Sequence, residues 1–555
     1  MRSGAPDPSL LDQVRAWIDD DPDPADRAEL TDLLRRWPDT AVELADRFAG
    51  PLQFGTAGLR GPLRAGPNGM NLAVVRGAAA GLNRWLDRHG AAGPIVIGYD
   101  ARHGSRRFAE ETARVATGQG RPATLLPQPL PTPVLAYAVR ATGAAAGVMV
   151  TASHNPPGDN GYKVYLGEQL GGADGAGAQI APPADAEIEA AIRSVGPLTE
   201  VPLGPAGAVA GTELVEAYVA AAATLVDPTT PRALRIAYTP LHGVGARVFT
   251  EVLTRAGFPA PELVPSQTEP DPDFPTVAFP NPEEPGALDA LLATAARAAA
   301  DLAIAHDPDA DRCAVAIPAP AGDGWRMLTG DELGILLADQ LLRRGAPGRY
   351  ATTIVSSSLL RALCAARGVP HTETLTGFKW IVRAGVDLAY GYEEALGYCV
   401  APQLVRDKDG ITAGLLACEL AATLRAEGRS LTDRLIELAA EFGVYVTGQV
   451  SLRRANLAEV DEVMAGLRQA PPTTLLNEPV ATVTDRWPDA DVLTLHTERA
   501  RLVLRPSGTE PKLKAYLEVV APAPEPAGVA DAQTAARTAL AALHDEVTDL
   551  LAPGA

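Results

Sequence analysis

From about Val74 onward, short apolar runs of strand character alternate with stretches of helical period rich in Ala, Leu and Arg. Ile95–Tyr99, Gly147–Val150, Ile236–Tyr238, Leu302–Ala305 and Thr353–Val355 are such runs, and each ends in a loop rich in Gly, Pro, Ser or Asp. Strands joined through helices build α/β layers, with ligands at the C-terminal ends of the strands. A chain of 555 residues is too long for one hydrophobic core and divides into three or four domains. Pro/Gly-rich seams lie at 197–211 and 318–324, and a third change comes near 442–451. Beyond it strands grow denser (Val480–Val483, Val492–His496, Ala500–Leu504), which makes the last domain α+β, ending in a helix from about Val529 to Leu551. Leu10, Leu11, Val14 and Trp17, then Leu30, Leu33 and Leu34, have the spacing of amphipathic helices packed on the first domain. The expected domains are 1–205, 206–325, 326–445 and 446–555.

Charge excludes some functions. Against 68 acidic residues stand 48 basic ones, a formal net charge of −20. That argues against a nucleic-acid or anionic-membrane surface, while leaving room for a local basic pocket. Cys313, Cys364, Cys399 and Cys418 show no C-x-x-C spacing, so reduced cytoplasmic thiols are expected rather than zinc. The N-terminus lacks an apolar signal core, and no apolar stretch reaches about 18 residues, so no membrane span is expected. Lysine is rare. Lys163, Lys379, Lys408, Lys512 and Lys514 are the five, and where arginine is the default cation a lysine marks a need for a compact ammonium.

Three strings carry chemistry. Thr151-Ala-Ser-His-Asn-Pro156, extended to Lys163, follows an apolar run and places Ser153 at a strand exit; a serine hydroxyl needs a base or a metal to act as a nucleophile, and His154 and Lys163 are near. Asp307-Pro-Asp-Ala-Asp-Arg312 sets three carboxylates at alternate positions, able to converge on one hard cation and mutually repulsive without it. The spacing is not that of an EF-hand, and Mg²⁺ suits it better than Ca²⁺. Arg505-Pro-Ser-Gly-Thr-Glu-Pro-Lys512 offers a guanidinium, two hydroxyls and exposed backbone to a phosphate dianion, without Walker spacing. Each string alone also fits a plainer account: a capped turn, a solvated acidic turn, a capped helix start. In Gly391-Tyr-Glu-Glu-Ala-Leu-Gly-Tyr398, Glu393 and Glu394 can accept from vicinal sugar hydroxyls, or stand on a helix surface. Weaker signals are Thr56–Gly61, Tyr99-Asp-Ala-Arg102, Thr376-Gly-Phe-Lys379 and Arg406-Asp-Lys-Asp-Gly410.

Taken in order, these motifs resemble the α-D-phosphohexomutase superfamily over roughly residues 50–520. The resemblance implies four domains around a central cleft, three related α/β/α domains and a smaller C-terminal α+β phosphate-binding domain. It implies that Ser153 carries a phosphoryl group and, with Asp307, Asp309 and Asp311, holds Mg²⁺. Lys163 would move a proton at the sugar hydroxyl beside His154, Arg60 and Arg312 would stabilise the phosphoryl charge, and Lys379 and Gly377 would face the sugar. Glu393 and Glu394 would read hydroxyls, while Arg505, Ser507, Gly508, Thr509 and Lys512 grip the other phosphate. The implied reaction interconverts sugar 1- and 6-phosphates, glucose first, through a bisphosphorylated sugar, with glucose 1,6-bisphosphate as activator. Where glucomutases carry a serine after the two glutamates, this chain has Ala395, which is similar to the branch containing phosphopentomutases and glucose-1,6-bisphosphate synthases. Mannose and pentose phosphates are therefore alternatives. A metal-dependent sugar-phosphate hydrolase and a non-catalytic sugar-phosphate binder are the rival functions.

Overall fold

The amphipathic spacing near the N-terminus becomes three helices, Pro8–Asp20, Pro24–Arg35 and Ala41–Arg47, which bury Val14, Leu30, Leu33 and Leu44 together. Asp23 starts the second of them by accepting from the Ala25 amide (3.0 Å), and Pro24 fills the first helical position, where no backbone donor is required. The computed structural model describes residues 8–55, 58–319, 324–507 and 511–552. They divide into two units. The first comprises Met1–Leu328, Phe378–Tyr390 and Leu396–Thr423, the second Thr329–Gly377, Gly391–Ala395 and Leu424–Ala555.

The first unit holds two sheets of one plan. In the first sheet the order is Leu59–Pro62, Asp159–Leu166, Ala146–Val150, Ile95–Tyr99, Ala123–Leu125, Ala208–Val209. The first two pairings are antiparallel and the rest parallel. Ile95–Tyr99 and Ala146–Val150 are buried at every position, as strands covered on both faces must be. The second sheet runs Trp325–Met327, Cys313–Pro318, Leu302–His306, Ile236–Thr239, Glu262–Leu263, again changing from antiparallel to parallel pairing. In both, the loop leaving a fully buried parallel strand doubles back into an antiparallel neighbour. The serine string occupies that loop in the first sheet and the aspartate string occupies it in the second.

In the second unit Arg349–Thr353 pairs in parallel with His371–Thr374, and helix Gly330–Arg343 starts at a capping box between Thr329 and Glu332. Its C-terminal part is an antiparallel sheet in the order Val444–Arg453, Lys512–Ala521, Ala500–Pro506, Leu493–His496, Thr482–Asp485. Helices Leu457–Gln469 and Val529–Leu550 bury Met464, Leu543 and Val547 against it, the expected α+β arrangement. The Arg505–Lys512 string joins two strands of a hairpin, so it is not a helix start. All four cysteines are free and buried. Among the described residues no helix is long and apolar enough to cross a membrane.

Candidate active site

Ser153 leaves the end of Ala146–Val150 with φ +52° and is 3% exposed. Its amide donates to Thr151 Oγ1 (2.9 Å). The loop is held by Arg102, which donates to the carbonyls of Ser153 (2.6 Å), Asn155 (2.5 Å), Pro156 (2.7 Å) and Asp159 (3.3 Å). Asp100 pairs with that guanidinium at 3.4 Å and the Phe274 ring lies 4.9 Å beneath it. A buried arginine thus sets the path of the backbone through both of its terminal nitrogens, without using the serine side chain.

Asp307, Asp309 and Asp311 are buried at 0%, 0% and 1%, and one oxygen from each lies within 4.8 Å of the others. This removes the solvated-turn account. Ser153 Oγ donates to Asp307 Oδ2 at 2.7 Å, across 154 residues of chain, and the Arg312 amide donates to Asp307 Oδ1 at 3.0 Å. Asp309 Oδ2 accepts from Thr132 Oγ1 (2.6 Å) and Lys163 Nζ (2.7 Å). Asp311 Oδ2 accepts from Lys163 (3.0 Å) and pairs with Lys408 Nζ (3.3 Å). The remaining oxygens, Asp309 Oδ1 and Asp311 Oδ1, are buried and have no hydrogen-bond partner. Buried anionic oxygens left unpaired are costly, so this donor set fits a hard divalent cation.

Burial, followed by the charges of Asp309 and Asp311, pushes the Asp307 carboxyl well above the usual range. Burial would raise Asp309 as well, but the Lys163 ammonium holds it well below. For Lys163 burial acts downward, and the two carboxylates outweigh it to keep the ammonium charged. His154 Nδ1 lies 3.2 Å from Ser153 Oγ. Burial, then Arg312 and Arg60, lower its pKa to about 2, so the imidazole is neutral. Arg60 donates to Asn155 Oδ1 (3.0 Å) in the serine loop. Ser153, His154, Lys163, Arg60, Arg312 and the three aspartates are therefore brought together in the first unit. Lys379, also buried in that unit, lies on Phe378–Ile381 with its ammonium 5.2 Å from the Trp380 ring centre.

Sequence reasoning left Arg406–Gly410 among the weak signals, yet every residue of it is anchored. Arg406 donates to the carbonyls of Val382 (2.7 Å) and Asp174 (2.9 Å). Asp407 accepts from Tyr165 OH (2.8 Å) and Asp409 from Tyr218 OH (3.0 Å). The Gly410 carbonyl meets His306 Nε2 at 2.9 Å. A β-carbon on Gly410 would lie 2.3 Å from the Arg312 carbonyl oxygen, so only glycine fits against the aspartate loop. Lys408, delivered to Asp311 by this segment, had two weak sequence signals, this string and the scarcity of lysine.

The second unit holds the other candidate residues. Glu393 is buried at the end of Leu388–Glu393, which excludes a helix-surface position. Glu394 is half-buried, with Oε2 accepting from Ser356 Oγ (2.8 Å) and Thr353 Oγ1 (3.2 Å). Burial, then the charge of Glu394, raise the Tyr516 hydroxyl to about 12. The Ser507 amide donates to the Lys512 carbonyl at 2.7 Å, closing the hairpin. Gly377 has φ +113°, a conformation suited to glycine. Gly508 and Thr509 lie outside the described residues.

Asp331 belongs to the same network, accepting from the Ser357 amide (2.7 Å), Tyr392 OH (3.0 Å) and Thr447 Oγ1 (3.0 Å). Burial, then Glu394 and Glu518, raise its carboxyl from 3.8 to about 6. A pKa raised by folding gives stability that is complete below the unfolded value and lost as pH rises through the folded one. Asp331→Asn should therefore gain unfolding free energy on the parent chain between about pH 4 and about pH 8, by an amount on the order of 3 kcal/mol, read from denaturant titrations. A pH-independent difference would refute this.

Four family models match the chain. They are the phosphoglucomutase/phosphomannomutase alpha/beta/alpha domains I (residues 51–197), II (216–322) and III (329–442) and the C-terminal domain (450–535). A "Probable phosphomannomutase" of Haemophilus influenzae is 44% identical over 461 residues, covering 81% of this chain and 93% of that protein. The phosphopentomutase of Mus musculus is 32% identical over 578 residues, covering 92% and 90%. A crystal structure of a phosphoglucomutase/phosphomannomutase family protein from Burkholderia thailandensis shares the fold, with a TM-score of 0.68 and 20% identity over 90% of this chain and 98% of that one.

Proposed function

Since this chain belongs to the phosphoglucomutase/phosphomannomutase family of the α-D-phosphohexomutase superfamily, with three α/β/α domains and a C-terminal one, we propose that it is a magnesium-dependent phosphosugar mutase acting between C1 and the terminal carbon of an aldose phosphate. Glucose is the first-choice sugar. The observation that carries this reading is Ser153 Oγ at 2.7 Å from one of three buried carboxylates, two of which keep an unpartnered oxygen.

Phosphorylated Ser153 donates its phosphoryl group to the free sugar hydroxyl. The P–Oγ bond breaks, a P–O bond to the sugar forms, and the proton given up by the sugar hydroxyl is balanced by the one that the released Ser153 Oγ takes up. The resulting bisphosphate turns over and returns its other phosphoryl group to Ser153, which restores the enzyme. The ammonium of Lys163 is placed to give a proton to the sugar oxygen when that oxygen is the leaving group, and neutral His154 orients the serine oxygen. Arg60 and Arg312 stabilise charge on the transferring group. Mg²⁺ held by Asp307, Asp309, Asp311 and the phosphoserine would neutralise charge on the phosphoryl oxygens. Glu393, Glu394, Lys379 and Gly377 bind the sugar, and Arg505, Ser507, Gly508, Thr509 and Lys512 grip the phosphate that is not reacting. Glucose 1,6-bisphosphate primes Ser153. We place the domain boundaries near 205, 325 and 445.

Ala395, and relatives named for mannose and pentose phosphates, support mannose and ribose phosphates as the second reading. The test is a panel of glucose, mannose and ribose 1-phosphates assayed with Mg²⁺ and catalytic glucose 1,6-bisphosphate. Isomerisation without phosphate release is expected, with the highest kcat/KM for glucose 1-phosphate. Steady release of inorganic phosphate would instead establish a hydrolase, and binding without turnover of any sugar would establish a non-catalytic protein.

A further inference from the structure

Beyond the sugar-binding role proposed for Glu394, on which this inference rests, the second unit shows what holds that carboxylate. Strand Arg349–Thr353 exits into the turn Ile354-Val-Ser-Ser-Ser358, whose Ser356 and Ser357 are 0% and 3% exposed. Ser356 Oγ is 2.8 Å from both Glu394 Oε2 and Thr353 Oγ1, and it accepts from the Glu394 amide at 3.3 Å. Thr353 Oγ1 in turn reaches Glu394 Oε2 at 3.2 Å. One oxygen of Glu394 is therefore saturated by two fixed hydroxyls. Among the described residues Oε1 accepts no side-chain or backbone hydrogen bond, and it remains as the acceptor for a ligand.

The turn itself is pinned from its other face. Arg501 donates to the Ser356 carbonyl and pairs with Glu518 at 3.2 Å. Glu518 accepts from the Ser358 amide (2.8 Å) and hydroxyl (2.7 Å), and Asp331 accepts from the Ser357 amide (2.7 Å). Ile354 and Val355 are buried with Val503 and Tyr516, side chains of the two strands that flank the Arg505–Lys512 loop. Both the side chain and the backbone of Ser356 are therefore held by hydrogen bonds.

We propose that Ser356 is a specificity-determining positioning residue: by saturating Oε2 it orients Glu394 so that Oε1 alone meets a sugar hydroxyl, at a fixed place relative to the phosphate-gripping hairpin. Without Ser356 the carboxylate can rotate and must be ordered when the sugar binds. A hydrogen bond to a carboxylate that is fixed in advance is worth about tenfold or more in affinity.

The full chain, its Ser356→Ala variant and the conservative Ser356→Thr variant are titrated calorimetrically with glucose 6-phosphate and with inorganic phosphate. Ser356→Ala is expected to weaken glucose 6-phosphate about tenfold and leave inorganic phosphate within about twofold, with Ser356→Thr recovering part of the loss. Equal weakening of both ligands would make Ser356 a merely structural residue, and no weakening of either would leave it without a role; each overturns the proposal. If the parent chain itself fails to prefer glucose 6-phosphate over inorganic phosphate, the sugar-binding role of Glu394 falls and this inference with it. Thr353→Val removes the second hydroxyl and gives the same readout should Ser356→Ala not fold.

Discussion

Ser153→Ala should lose mutase turnover by at least about 10⁴-fold while binding hexose phosphate within about threefold of the parent chain. The separation follows from how the serine is held. Arg102 grips the loop through carbonyl oxygens, so deleting the side-chain oxygen leaves the loop's path intact. What disappears is the bond to Asp307 and the contact with His154, a stability change of about 1 kcal/mol. The hairpin of Arg505 and Lys512 belongs to the other unit and keeps its own closing bond. Turnover is read in a coupled assay primed with sugar bisphosphate, and phosphorylation by intact mass. A variant keeping a tenth of the parent rate would falsify the phosphoserine mechanism.

Asp309→Asn should be nearly as severe, lowering turnover by roughly 10³-fold and raising the Mg²⁺ needed for half-activity at least about tenfold. Asp309 contributes one of the two buried oxygens without a partner, and its other oxygen serves both Thr132 and Lys163. An amide can still accept from Thr132, so the local fold has a substitute contact. It removes a negative charge from the cation site and turns two N–H donors toward it or toward Lys163. Initial rates measured against Mg²⁺ concentration check this. Unchanged half-saturation would show that the cation, if required, is held elsewhere.

Much of the first unit's site was legible because its parts are short strings with a chemistry of their own. A serine at a strand exit and three alternating aspartates announce themselves, and the repeated sheet plan accounts for their meeting. Arg102 stood out only weakly, in Tyr99-Asp-Ala-Arg102, and its role was not legible, since its work is done on backbone carbonyls about fifty residues away, which no side-chain pattern encodes. Tyr165 and Tyr218 read as ordinary strand and helix residues, and only the fold delivers them to Asp407 and Asp409, 242 and 191 residues on. The two glutamates stood out in the sequence as candidates, but not their inequality. That arises from Ser356, one of three consecutive serines with nothing in sequence to distinguish it. Two of the five lysines, Lys163 and Lys408, both meet Asp311.

The backbone at Ser153 also limits which residues can ever occupy that position. At φ +52° the chain is in the left-handed region, where a β-branched side chain is crowded against its own peptide groups. Threonine carries the same hydroxyl and would be the conservative exchange by chemistry, yet this backbone disfavours it more strongly than serine. A hydroxyl on this turn is therefore best supplied by serine. Converting it to a threonine-based transferase would favour rebuilding the turn before changing the nucleophile.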